Sequence, residues 1–318
     1  MRLSLCPPPF HDQKRQPQHN RFCPHRKWLQ GCKRKCVREC WFCFFLAALT
    51  LFPARLRAVS EPGDGTRLAP LYTQEVDRRL DVPEDEQHSY ANLIAQSLNS
   101  ELNPPQYVIL VDRNPFVQAA MIYWMSPDHV FHFIGASPVS TGKPGKFEHF
   151  VTPTGVFEHT VDNPDYRAKG TRNHFGIRGY GVKGMRVYDF GWQKAERGWG
   201  RGGIGKLRLQ MHATDPDLLD WKLGTTQSEG CVRIPATLNT FIDHYGILDG
   251  DYEKAAAEGK PSSVLSETRQ ATPWSGRFLV VVDTGRLKRP TWSRSERPIT
   301  PRSPVQIHKP RPKSPPDP

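Results

Sequence analysis

From Gln106 onward the chain consists of strand-length phrases: QYVILVD, FVQAAMIYW, HVFHFIGA and GVFEHT are rich in β-branched and aromatic residues. Turn signals at Arg113-Asn114-Pro115 and Ser126-Pro127-Asp128 separate them. Short strands joined by brief turns predict a mainly β domain, an antiparallel sandwich or barrel. The run FLVVVD at 278–283 is a further buried-strand candidate. Residues 170–205 hold 11 Gly among Phe175, Tyr180, Tyr188, Phe190, Trp192 and Trp199. They read as hairpins whose aromatics complete the core, or as a flap over a site.

Helical patterning is confined to two places. Residues 84–102 follow Pro83 with an acidic first turn and carry Leu93, Ile94 and Leu98 at helical spacing, and Pro104 and Pro105 end the segment. After Pro235, Leu238, Phe241, Ile242 and Tyr245 fall at i, i+3, i+4 and i+7 before Gly246, which predicts a short amphipathic helix.

Charge and cysteine are distributed unevenly over the 318 residues. Residues 1–58 carry 12 Lys/Arg against 2 Asp/Glu, residues 286–318 carry 9 against 2, and the middle carries 23 against 28. The excess of +12 therefore sits on the ends. A nucleic-acid groove needs its positive charge on the folded domain, so no nucleic-acid partner is expected. Six of the seven cysteines precede residue 44, and Cys231 alone lies beyond, so no disulfide framework is available there. Cys36, Cys40 and Cys43 have an iron–sulfur-like spacing, but two of them fall inside an apolar export segment.

That segment, CWFCFFLAALTLFPA at 40–54, follows Lys33, Arg34, Lys35 and Arg38 and precedes Ala58, the layout of a secretory signal. It is shorter than a span of about 20 apolar residues. Export to the periplasm or cell wall is expected, with cleavage after Ala58 or retention as an anchor. The long basic stretch ahead of the apolar core suggests translation from Val37. Four regions follow: a basic leader with signal or anchor at 1–58, a linker and helical segment at 59–105, a β domain at 106–285, and a Pro-rich basic tail at 286–318. The tail has no apolar periodicity and is expected to be unordered and dispensable, with weak contact to an anionic wall or membrane surface as the role its charge offers.

The chemistry concentrates in LQMHATDP at 209–216 and SEGCVR at 228–233. A thiol is a small fraction thiolate at neutral pH, so a nucleophilic Cys231 needs a base or a positive field, which His212 and Arg233 supply. Gly230 frees the backbone beside the sulfur, so that amides around 230–231 can face a developing oxyanion. The plainer reading, a buried structural thiol in an exported β domain, stands beside it.

These residues resemble the catalytic domain of the L,D-transpeptidases, the YkuD family. His212 and SEGCVR, with 18 residues between His212 and Cys231, carry the likeness. So do YVILVDRN at 107–114, PVSTGKPG at 138–145 and TPTGVF at 152–157, and the likeness covers roughly residues 106–283. The resemblance implies an L,D-transpeptidase-type β-sandwich with a short helix after the cysteine and a helical segment ahead of it. It implies an enzyme needing no cofactor and no metal, acting on peptidoglycan stem tetrapeptides through a thioester with release of D-alanine. Cys231 would attack, His212 would take the thiol proton, and the Ala213 carbonyl would orient the imidazole. Ser228, Gly230 and Arg233 would shape the oxyanion site and hold the donor peptide. Glu229 departs from the family's usual histidine, and its carboxylate opposes thiolate formation. The acceptor amine stays open, and so do two alternatives: an L,D-carboxypeptidase and a catalytically silent peptidoglycan-binding protein.

Overall fold

A computed structural model describes residues 64–98 and 104–293. All belong to the compact unit Ala58–Pro318; the leader, the signal or anchor and most of the basic tail lie outside the described residues. Among the described residues no helix is long and apolar enough to cross a membrane.

Nine strands form two sheets. In the first, the order is β3 (Phe131–Pro138), β2 (Ala119–Met125), β1 (Gln106–Asp112), β9 (Phe278–Val282) and β4 (Gly155–Glu158). The second runs β5 (Tyr166–Arg167), β6 (Arg186–Glu196), β7 (Ile204–Ala213) and β8 (Val232–Ile234). Neighbours in sequence pair antiparallel, as the turn signals require, but β1 with β9 and β7 with β8 pair parallel. The purely antiparallel expectation fails at those two joints, where the connection is long enough to return the chain to the same end before the second strand begins.

The apolar run of β1 is continuous because both of its faces are buried. Tyr107, Ile109 and Val111 point into a core shared with Tyr188, Leu209, Met211, Val232 and Ile234 of the second sheet. Val108 and Leu110 point the other way, into a core closed by Tyr90, Ile94 and Leu98 of α2 (Glu84–Leu98) and by Trp292. The result is a layered β-sandwich with a helix across one outer face. On the inter-sheet core lies α3 (Ala236–Tyr245), ended by Gly246 at φ 60°, the left-handed cap that glycine adopts without strain. A further helix, α4 (Gly250–Ala257), follows it.

Two boundaries differ from the sequence reading. The linker expected at the start of the 59–105 region runs into α1 (Leu68–Glu75), which buries Leu68 and Tyr72, with Val76 buried just beyond its end. Pro70 misleads here, because a helix's first turn has no intrahelical partner for the N–H that proline lacks. Tyr72 lies over Gly135, where an added Cβ would come within 2.3 Å of the ring, and its hydroxyl is 2.6 Å from Ser137 Oγ. At the other end, residues 286–293 are packed rather than an unordered tail. Trp292 is buried edge-on to Tyr90 at 6.1 Å, Arg286 Nη2 pairs with Glu86 Oε2 at 2.5 Å, and Arg289 donates to the Gly224 carbonyl at 2.8 Å.

Candidate active site

The β7–β8 pair builds the site. Its parallel register sets His212 opposite Arg233 and Met211 opposite Val232, which brings Cys231, one residue ahead of β8, alongside Gln210. Side chains alternate along a strand, so Leu209, Met211, Val232 and Ile234 enter the core. Gln210, His212, Cys231 and Arg233 therefore share the opposite face.

His212 is buried, and its Nδ1 donates to the Ala213 carbonyl at 2.9 Å, the carbonyl singled out from sequence. That bond fixes the neutral tautomer with an acceptor lone pair on Nε2. Tyr180 packs on the imidazole edge-to-face at 4.6 Å. Gly181, at φ 81°, lets the chain pass so close that a Cβ there would sit 2.8 Å from the Ala213 Cβ. In the glycine-rich 170–205 region the core reading holds for only some of the aromatics. Tyr188 and Phe190 enter the core, whereas Tyr180 covers the imidazole and Phe175 and Trp192 remain exposed.

Cys231 is half-buried with no disulfide partner among the described residues, and its Sγ approaches the Arg208 carbonyl at 3.7 Å. Burial pushes the thiol up to about 11; Glu229 and Asp189 add to the rise, while the Gln210 backbone amide and Arg233 oppose it. Burial likewise lowers His212 to about 4, with Arg233 acting in the same direction and the Ala213 carbonyl against it. At neutral pH the resting pair is therefore thiol and neutral imidazole, not a preformed ion pair.

A clamp holds the nucleophile's loop. The Ser228 hydroxyl donates to the Cys231 carbonyl at 2.5 Å and accepts from the Gly230 amide at 3.1 Å. The Thr152 hydroxyl donates to the Gly230 carbonyl at 2.7 Å and accepts from the Gly142 amide at 2.9 Å. Backbone bonds from Lys143 to Ser228 and from Phe150 to Glu229, with a two-way pair between Ser140 and Arg233, complete it. Gly230, at φ 131°, is wedged so that a Cβ would meet Leu207 at 2.8 Å.

Two roles inferred from sequence change accordingly. The Gly230 amide is committed to Ser228, so it does not offer a free donor to an oxyanion. Ser228 is buried and braces the loop instead of facing a substrate. Thr152, within the TPTG motif, comes next to the nucleophile through a tertiary contact that the motif alone does not reveal.

Glu229 and Arg233, on either side of Cys231, line a pocket of about 320 Å³ together with Asn173, Lys222 and Gln227. Arg233 reaches the Gln227 carbonyl with Nη1 at 3.4 Å, while its buried Nε has no hydrogen-bond partner among the described residues. A guanidinium with spare donors at a pocket wall is suited to a carboxylate. Glu229 is exposed at the same wall. Because its charge contributes to the raised thiol, Glu229→Gln is expected to lower the thiol's titration midpoint and to speed alkylation at mildly alkaline pH by about twofold to fivefold. Thiolate ultraviolet absorbance against pH checks this; an unchanged or higher midpoint contradicts it.

A thiol and an imidazole thus share one face of a β-sandwich, beside a polar pocket. Residues 106–251 match the family model of YkuD, described as the L,D-transpeptidase catalytic domain. No curated protein matches the chain. Among solved structures, a fused Zn-dependent amidase/peptidase/peptidoglycan-binding domain-containing protein from Clostridium acetobutylicum ATCC 824 aligns at 12% identity and a TM-score of 0.26. That alignment covers 65% of this chain and 66% of that one, and a likeness so distant assigns neither fold nor activity.

Proposed function

We propose that this protein is an exported L,D-transpeptidase acting on peptidoglycan stem tetrapeptides, with Cys231 as nucleophile and His212 as general base. The observation that carries the reading is the imidazole tied through Nδ1 to Ala213, its other nitrogen free to accept, on the face that bears Cys231.

In the first half-reaction the thiol proton passes to His212 Nε2 as sulfur attacks the carbonyl of the stem's third residue. Because the resting groups are thiol and neutral imidazole, transfer accompanies attack. The tetrahedral adduct collapses by breaking the amide bond; the imidazolium returns its proton to the departing D-alanine amine, and a thioester to Cys231 remains. In the second, an acceptor amine attacks the thioester, loses a proton to His212, and forms the new amide as the thiol is restored. Water as acceptor gives carboxypeptidase activity instead. Arg233, whose side chain lines the pocket, holds a stem carboxylate there.

The test is incubation of the purified protein with stem tetrapeptide, products identified by mass. Release of D-alanine with a crosslinked or exchanged product supports transpeptidation. Release with tripeptide alone supports the carboxypeptidase, and polymer binding without release supports the silent binder.

A further inference from the structure

An aromatic and cationic surface adjoins the nucleophile's loop and plays no part in the chemistry above. Phe147 is 74% exposed, and its ring stands edge-to-face with Trp199 at 5.8 Å; Trp199 in turn meets Phe150 at 4.7 Å. Phe150 connects this stack to the site, because its amide donates to the Glu229 carbonyl at 3.1 Å. The β6–β7 hairpin tip and the 143–150 loop hold one another through Gly145 to Gly198 and Gly198 to His149 backbone bonds of 2.6 and 2.8 Å. Glu148 sits at φ 63°, a conformation non-glycine residues seldom adopt, and the His149 Nδ1 lies 3.0 Å from the Lys143 carbonyl. The exposed phenyl ring is thus displayed from a braced turn. Around it Lys143, Lys146, Arg197 and Arg201 are exposed, and none forms an ion pair with another described residue; Glu148 and Glu196 are the acidic neighbours.

We propose that this surface docks the glycan strand of the polymer whose stem peptide occupies the site, an inference that rests on the function proposed above. An exposed aromatic cluster calls for an apolar partner. Pyranose rings present C–H faces that pack against the electron-rich faces of aromatic rings. The stem peptides along such a strand carry carboxylates, which the excess of cations complements. The surface's continuity with the Cys231 loop places strand and stem within reach of a single domain, so the polymer is held at more points than a free stem peptide.

The test compares the full chain with its Phe147→Ser and Arg201→Glu variants, both exposed positions outside the site, with thermal melting as the check on folding. Each variant is expected to co-sediment about fivefold less with purified insoluble peptidoglycan. Turnover of soluble tetrapeptide is expected to stay within about twofold. Unchanged sedimentation of both variants, or no sedimentation of the parent chain, overturns the surface. Variant-sensitive binding to phosphatidylglycerol vesicles without binding to the polymer overturns it in favour of a membrane. Phe147-dependent sedimentation by a protein that releases no D-alanine keeps this inference and ends the proposed activity, so the two fail separately.

Discussion

Cys231→Ser is expected to reduce D-alanine release by on the order of 10³-fold or more while leaving the fold unchanged, because a hydroxyl fills the thiol's space but is a far weaker nucleophile beside this base. His212→Ala should be comparably severe. The imidazole is neutral above about pH 4 and is the acceptor that lets a thiol raised to about 11 attack at neutral pH. Since the two act as one unit, the double variant should be little worse than either single one. Rates from the purified variants with soluble tetrapeptide decide it. Additive losses would mean that the two residues work independently.

The second large effect concerns the end of the chain. Truncation after Gly285 removes the buried Trp292, the Arg286–Glu86 pair and the Arg289 bonds to the Pro115 and Gly224 carbonyls. Loss of one buried Trp costs about 3 to 5 kcal/mol. In a domain of this size that lowers the melting temperature by roughly 6 to 20 °C. Gly224 lies in the loop whose Lys222 and Gln227 line the pocket, so tetrapeptide turnover should also fall by about tenfold or more. Truncation after Ser293 should leave both within about twofold or a few degrees. Equal behaviour of the two truncations would show that residues 286–293 contribute nothing.

Much of the strand content was legible because β1, β2 and β9 announce themselves through apolar runs bounded by turn residues. The helix after Pro235 was legible through its i, i+3, i+4 and i+7 pattern and its glycine stop. Long-range choices were not. Nothing local in FLVVVD states that it lies parallel to β1, and nothing in LAPLYTQE says that Tyr72 will dock over Gly135. Trp292 sits in a Pro/Arg-rich stretch whose composition reads as solvated, and only the cavity beside Tyr90 gives it a place.

At the site, sequence singled out Cys231, His212, Arg233 and the Ala213 carbonyl, which the β7–β8 register brings onto neighbouring positions. The internal uses of Ser228 and Gly230 escaped it. A hydroxyl two or three residues from a nucleophile suits a loop brace and a substrate contact equally, and only hydrogen-bond partners separate these. Tyr180 and Thr152 escaped as well, since both reach the site from segments distant in sequence.

The most direct measurement is to mix the protein with tetrapeptide in the absence of an acceptor amine, quench in acid, and map the covalent adduct by peptide mass. A gain equal to the tripeptide acyl group on the peptide containing Cys231, discharged by added amine with return of the free thiol, is the expected result. D-alanine released at full rate with no adduct on Cys231, or an adduct and turnover that persist in Cys231→Ser, would contradict the cysteine mechanism.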